Sequence, residues 1–146
     1  MEIRRMKKES INEYAKLFVN VFNNEPWNDK WTVETASVRI DGIVRTNNFI
    51  GCALYDDTRL VGFICGQKEQ FYDGMHFQVQ EFCVDTAEQG KGYGTMLLNS
   101  LQFILKEDKV SNIYLITSKG PGTEGFYRKK GFSISDNMVL MSKNEL

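Results

Sequence analysis

The chain has 146 residues, 18 Lys and Arg against 19 Asp and Glu, and a formal net charge of −1, a balance that argues against nucleic acid or an anionic membrane as partner. Hydrophobic residues at 42% and charged residues at 25% suit one globular domain, residues 1–146, able to form a core without staples. Three cysteines without a CxxC pair argue against a zinc site, and no apolar run approaches the ~18 residues of a membrane span.

The N-terminus, Met-Glu-Ile-Arg-Arg-Met-Lys-Lys, lacks the apolar centre of a signal peptide, which predicts a cytoplasmic protein. Residues 2–6 can form a first strand. Ser10-Ile-Asn-Glu13 reads as a capping box, followed by a helical stripe of Tyr14, Leu17, Phe18, Val21 and Phe22. Pro26 ends that helix region. An aromatic and polar segment, Glu25 to Trp31, precedes a second helix that begins near Thr32, with Val33, Ala36, Ile40 and Val44 at helical spacing.

From Phe49 the period shortens. Phe49 to Tyr55, a turn at Asp56-Asp-Thr-Arg59, and Leu60 to Gln67 make a hairpin. A turn around Tyr72-Asp-Gly74 leads into a strand from Phe77 to Val84. Cys52, Cys65 and Cys83 all fall in these strands and read as small buried hydrophobes. Cys83 could be a nucleophile only with a base beside it. The single histidine, His76, falls in the turn segment and reads as a surface residue.

After Val84 come Gln89 to Gly94 with alternating Gly90, Gly92 and Gly94, then Leu97, Leu98, Leu101, Ile104 and Leu105 on one helix face. Strand, glycine loop and helix together form a phosphate site, because glycines permit close backbone approach and the first helical turn offers unpaired N–H groups. The dinucleotide fingerprint fails, since its third glycine would fall on Thr95, and no Gly-Lys is followed by Ser or Thr as a Walker loop requires. Asn112 to Thr117 is a nearly continuous apolar run, as in a buried parallel strand. A short helix, Gly122 to Lys130, has Gly131 placed at its C-terminus. Phe132 to Ile134 and Met138 to Met141 then predict a closing hairpin.

Gln89-x-x-Gly92-x-Gly94 resembles the pyrophosphate loop of the GNAT family of acyl-CoA N-acyltransferases. Phe-Tyr-Arg-Lys-Lys-Gly-Phe at 126–132 resembles the family's C-terminal signature. The resemblance implies an α/β GNAT-like fold, a mixed central sheet of about six or seven strands flanked by about four helices. It also implies an acetyltransferase that takes acetyl-CoA as co-substrate, needs no metal and moves the acetyl group directly to a primary amine; members of the family are often homodimers.

The family's roles then fall on named positions. Backbone groups of Phe82, Cys83 and Val84 would hold the pantetheine arm like an added strand, and one of their N–H groups would polarise the thioester carbonyl. Amides of Gly90, Lys91, Gly92, Tyr93, Gly94 and Thr95 would bind the pyrophosphate, with Gln89 bracing the loop. Tyr127 would protonate the departing thiolate, since a phenol keeps its proton at neutral pH. Glu81 is the candidate base; in some members that role falls on the position occupied here by Gln78. Trp27 and Trp31 either line the acceptor site or cap the core from its edge. Gly120 stands where many members carry an Asn that contacts the CoA arm.

Two readings of different class remain: an N-acetyltransferase for a small-molecule or peptide amine, and a catalytically inactive acyl-CoA-binding sensor. Acidic Glu25, Asp29 and Glu34 beside the tryptophans favour a cationic acceptor.

Overall fold

The helical stripes and short extended runs become four α-helices and five strands in the structure, a computed structural model describing residues 1–146. These are β1 (Glu2–Arg5), α1 (Ile11–Phe22), α2 (Val33–Val44), β2 (Phe49–Asp56), β3 (Arg59–Phe71), β4 (Gly74–Val84), α3 (Tyr93–Glu107), β5 (Asn112–Leu115) and α4 (Glu124–Lys129). The chain forms two compact units, Met1–Leu115 and Ile116–Leu146.

The first unit holds the whole sheet, in the order β1-β2-β3-β4-β5. Its first four strands are antiparallel neighbours, and β5 returns parallel to β4 after α3. The sheet has five strands, not the six or seven expected. Helices α1 and α2 bury Tyr14, Phe18, Ala36 and Ile40 in one cluster with Ala53, Phe63, Cys65 and Cys83. On the other face lie Leu97, Leu98 and Leu101 of α3, all fully buried; a Cβ on Gly62 would come within 3.1 Å of Leu97. Each such leucine contributes roughly 1.5–3 kcal/mol by leaving water.

One N-terminal expectation changes. Ser10 is the N-cap of α1, but its side chain makes no capping hydrogen bond. A 3-10 turn over Lys8–Ser10 feeds the helix directly, leaving Ser10 at ψ 12° instead of extended. The capping box lies on α2, where the Thr32 and Thr35 hydroxyls each accept the other's backbone N–H at 3.0 Å. The same device is built there with Thr in place of the usual Glu or Gln.

The decisive irregularity is in β4. Cys65 pairs with Glu81, but the next residue of β3, Gly66, pairs with Val79. Gln80 is therefore an extra residue, a β-bulge. Residues directly opposite share a face. Phe77 and Val79 thus take the side of Gly66, while Glu81 and Cys83 take the side of Cys65 and Phe63, under α1 and α2. Gly66 permits the close approach: a Cβ there would lie 1.8 Å from the Gln78 carbonyl oxygen. Pairing of β4 with β5 also stops at Val79–Leu115. Beyond that point Gln80–Val84 is laddered to β3 alone within this unit.

In the second unit α4 ends in a Schellman motif. Phe132 N donates to Tyr127 O at 3.0 Å and Gly131 N to Arg128 O at 3.1 Å, with Gly131 at φ 91°. The expected closing hairpin is absent. Residues 133–146 contain no strand, and Met138, Val139, Leu140 and Met141 are 71–84% exposed. Their composition favours extended chain, but a strand forms only where a neighbour takes its hydrogen bonds. No helix is long and apolar enough to cross a membrane.

Candidate active site

The end of β4 and the start of α3 are tied by short-range hydrogen bonds. Asp85 Oδ1 accepts from Ala87 N at 3.1 Å, and Gln89 Nε2 donates to Val84 O at 3.1 Å. Gln89 thus ties the loop to the last residue of β4. Gly90 at φ 79° and Gly92 at φ 85° take left-handed conformations that side chains strain. Gly92 is the N-cap of α3 and brings no capping side chain. The first intrahelical bond runs from Met96 N to Gly92 O, so helix geometry leaves the amides of Tyr93, Gly94 and Thr95 without an intrahelical acceptor. The first turn holds no acidic residue, and its dipole favours an anion.

Charge around the loop is already matched. Glu88 takes Lys91 Nζ at 2.7 Å and Arg59 Nη2 at 2.8 Å, and these cations hold its carboxyl below the ordinary range. Lys91 is engaged in this pair, which leaves backbone amides as the loop's main offer to a phosphate.

Glu81 lies just beyond the bulge, its side chain 13% exposed. Burial pushes its carboxyl above the ordinary value, and Asp29 adds to the rise. The opposing influence is Arg39 of α2, whose Nε donates to Glu81 Oε1 at 3.0 Å. Asp29 Oδ2 in turn accepts from Trp31 Nε1 at 3.0 Å. Asn23 clasps the Trp31 backbone on both sides at 2.8 Å. The segment between α1 and α2 therefore bears on Glu81 through the charge of Asp29. Trp31 packs edge-on against Phe18 and Trp27 against Phe22. Both tryptophans do cap the core, with part of each ring left accessible.

Cys83 is buried beneath α1 and α2, and desolvation drives its thiol well above the ordinary range. That removes the thiolate a nucleophile needs. Phe82 and Val84 are half-buried on the same edge of β4. Gln78 pairs with Gln67 before the bulge, on the stretch still laddered to β5. His76 is a strand residue instead of a loop residue: it pairs with Glu69 of β3, stacks on Phe71 at 4.3 Å and meets Asp73 at 2.8 Å. No group of three His, Cys, Asp or Glu side chains gathers where it could hold a metal ion.

Tyr127 lies in the second unit, on α4, with its ring against Phe126 and Phe132 at 5.3 and 5.5 Å. Thr123 Oγ1 donates to Ser118 O at 2.7 Å and Gly125 N to Gly120 O at 2.9 Å, which closes the loop ahead of the helix. Gly120 has φ 136°, a conformation essentially reserved for glycine. An Asn at this position would be strained.

Sequence reasoning missed Arg39, the bulge at Gln80 and the influence of the Asp29 charge on Glu81. Arg39 sits one residue from Ile40 on an amphipathic helix and carries no local signal of a partner 42 residues away. The buried Gln80 Oε1, which has no hydrogen-bond partner, marks the bulge only in three dimensions.

The acetyltransferase (GNAT) family model matches residues 11–132. No curated protein matches the chain. Among solved structures, a possible acetyltransferase from Clostridium difficile 630 superposes with TM-score 0.81 at 17% identity, covering 99% of this chain and 97% of that one. An aminoglycoside acetyltransferase from an uncultured soil metagenomic sample, crystallised with sisomicin, gives 0.76 at 16% identity over 99% and 96%. A predicted acetyltransferase from Clostridium acetobutylicum, crystallised with acetyl-CoA, gives 0.75 at 16% identity over 97% and 95%. These likenesses show the fold. The family match spans most of the chain, which therefore belongs to the acetyltransferase (GNAT) family of N-acetyltransferase enzymes.

Proposed function

We propose that this GNAT-family member transfers the acetyl group of acetyl-CoA directly to a primary amine, and that its acceptor is cationic. The observation that carries the donor half is the β4 edge. Gln80–Val84 has left β5 and runs straight into a loop whose glycines and helix amides suit a pyrophosphate. Backbone groups of Phe82, Cys83 and Val84 would take the pantetheine arm as an added strand. Amides from Gly90 to Thr95 would take the pyrophosphate. The solved relative crystallised with acetyl-CoA supports that choice of donor.

In the reaction so read, Glu81 accepts a proton from the acceptor's ammonium, directly or through a water. The freed amine attacks the thioester carbonyl, and its oxygen's growing charge is met by a β4 amide. The carbon–sulfur bond then breaks, Tyr127 donates the proton that leaves CoA as a thiol, and the second proton lost by the nitrogen passes through solvent to restore the phenol. The match running through both compact units supports treating them as one catalytic domain. Asp29 and Glu81, with Trp27 and Trp31 alongside, favour a cationic acceptor by charge complementarity. The relative crystallised with sisomicin, an aminoglycoside acetyltransferase, points the same way. A cytoplasmic location completes the reading.

Gly120 favours one second reading, an acyl-CoA sensor without turnover, since a usual CoA contact is missing there. Calorimetric titration with acetyl-CoA, with NAD and ATP as controls, tests the donor. Binding of acetyl-CoA alone is expected, and binding of none would remove the reading. An amine screen then decides acceptor class: polyamines and aminoglycosides should outrun neutral and acidic amines. Binding without any turnover would select the sensor.

A further inference from the structure

A buried carboxylate needs a partner, because desolvation disfavours its charged form. Glu81 finds one on a separate element: Nε of Arg39, on α2, donates to Oε1 at 3.0 Å across the first unit. The contact is single, not the bidentate fork that arginine makes when it occupies both oxygens of a carboxylate. We infer that Arg39 is a positioning residue: it fixes the Glu81 side chain through Oε1 and leaves Oε2 for the acceptor's proton. This rests on the reading of Glu81 as the base.

Three observations meet in this pair. The bulge at Gln80 turns Glu81 to the α1/α2 face. Arg39 follows Ala36 and precedes Ile40, both fully buried, so α2 is anchored beside it. Arg39 itself keeps 42% of its side chain exposed, where solvent screens much of its charge. Its charge therefore acts on the carboxylate at the weak end of the range for a close opposite pair. The other groups facing Glu81 are Asp29 between the helices, Cys65 on β3 and Cys83 on its own strand. Asp29 disfavours the carboxylate and Arg39 favours it, so losing Arg39 leaves Asp29 and burial unopposed.

The test follows the Glu81 carboxyl directly by 13C NMR titration, with Glu81→Gln to assign the signal. The protein with Arg39→Met should titrate higher by about one pH unit, the lower end of the range for losing a close opposite charge. Arg39→Lys should return most of that shift. The acid limb of kcat/KM, measured with acetyl-CoA and either spermidine or sisomicin, should move upward by the same amount, with acetyl-CoA affinity unchanged. A folded Arg39→Met protein whose Glu81 titrates as before overturns the inference. So does a shifted titration with an unmoved acid limb. Glu81→Gln retaining full turnover would instead remove the base assignment, a result distinguishable because the NMR shift is read without turnover.

Discussion

Gln89 Nε2 donates to the carbonyl oxygen of Val84 at 3.1 Å, tying the glycine loop back to the last residue of β4. The two surfaces proposed to hold acetyl-CoA, the strand edge and the loop, are thereby set at a fixed spacing. Neither Gly90 nor Gly92 can provide such a tie, having no side chain.

Gln89→Leu should loosen that spacing while leaving the core alone. One net hydrogen bond is worth about 1 kcal/mol, so acetyl-CoA affinity should fall about fivefold by calorimetry. Thermal stability should change little, because Gln89 lies outside the buried cluster. Full affinity in the variant would mean that the loop holds its shape without the brace.

Tyr127→Phe should reduce kcat about a hundredfold or more, the range set by positioned proton donors, and should leave acetyl-CoA affinity nearly intact. The ring contacts with Phe126 and Phe132 survive the change, since both are made by the ring itself. Steady-state kinetics beside calorimetry separates the two effects. Unchanged kcat would remove the general-acid assignment.

Gly66→Ala should destabilise the sheet by about 3 kcal/mol. The added Cβ would meet the Gln78 carbonyl oxygen at 1.8 Å, and backbone cannot yield as a side-chain tip does. Urea unfolding measures the loss. A stability within about 0.5 kcal/mol of the parent would show that β3 and β4 can separate at the bulge without cost.

Much of this molecule is local, and that part was legible. The stripe Tyr14, Leu17, Phe18, Val21 and Phe22 marks α1 because a helix repeats every 3.6 residues, and all five side chains are buried. Gly90, Gly92 and Gly131 announce turns because their positive φ excludes most other residues, and each has it. The Gln-x-x-Gly-x-Gly loop and the Gly131 end of α4 were readable for the same reason: backbone geometry there depends on neighbours in sequence. The closing hairpin was misread because Met138 to Met141 has strand composition, yet composition does not supply a ladder partner. The face of Glu81 was beyond sequence altogether. One unmarked residue, Gln80, reverses the alternation of β4 and turns the carboxylate toward Arg39. Sequence by itself thus determined the helices, the five strands and the glycine turns, whose physics is short-range. Only the tertiary structure decided which charges meet, because register and helix docking bring together residues that carry no mark of one another along the chain.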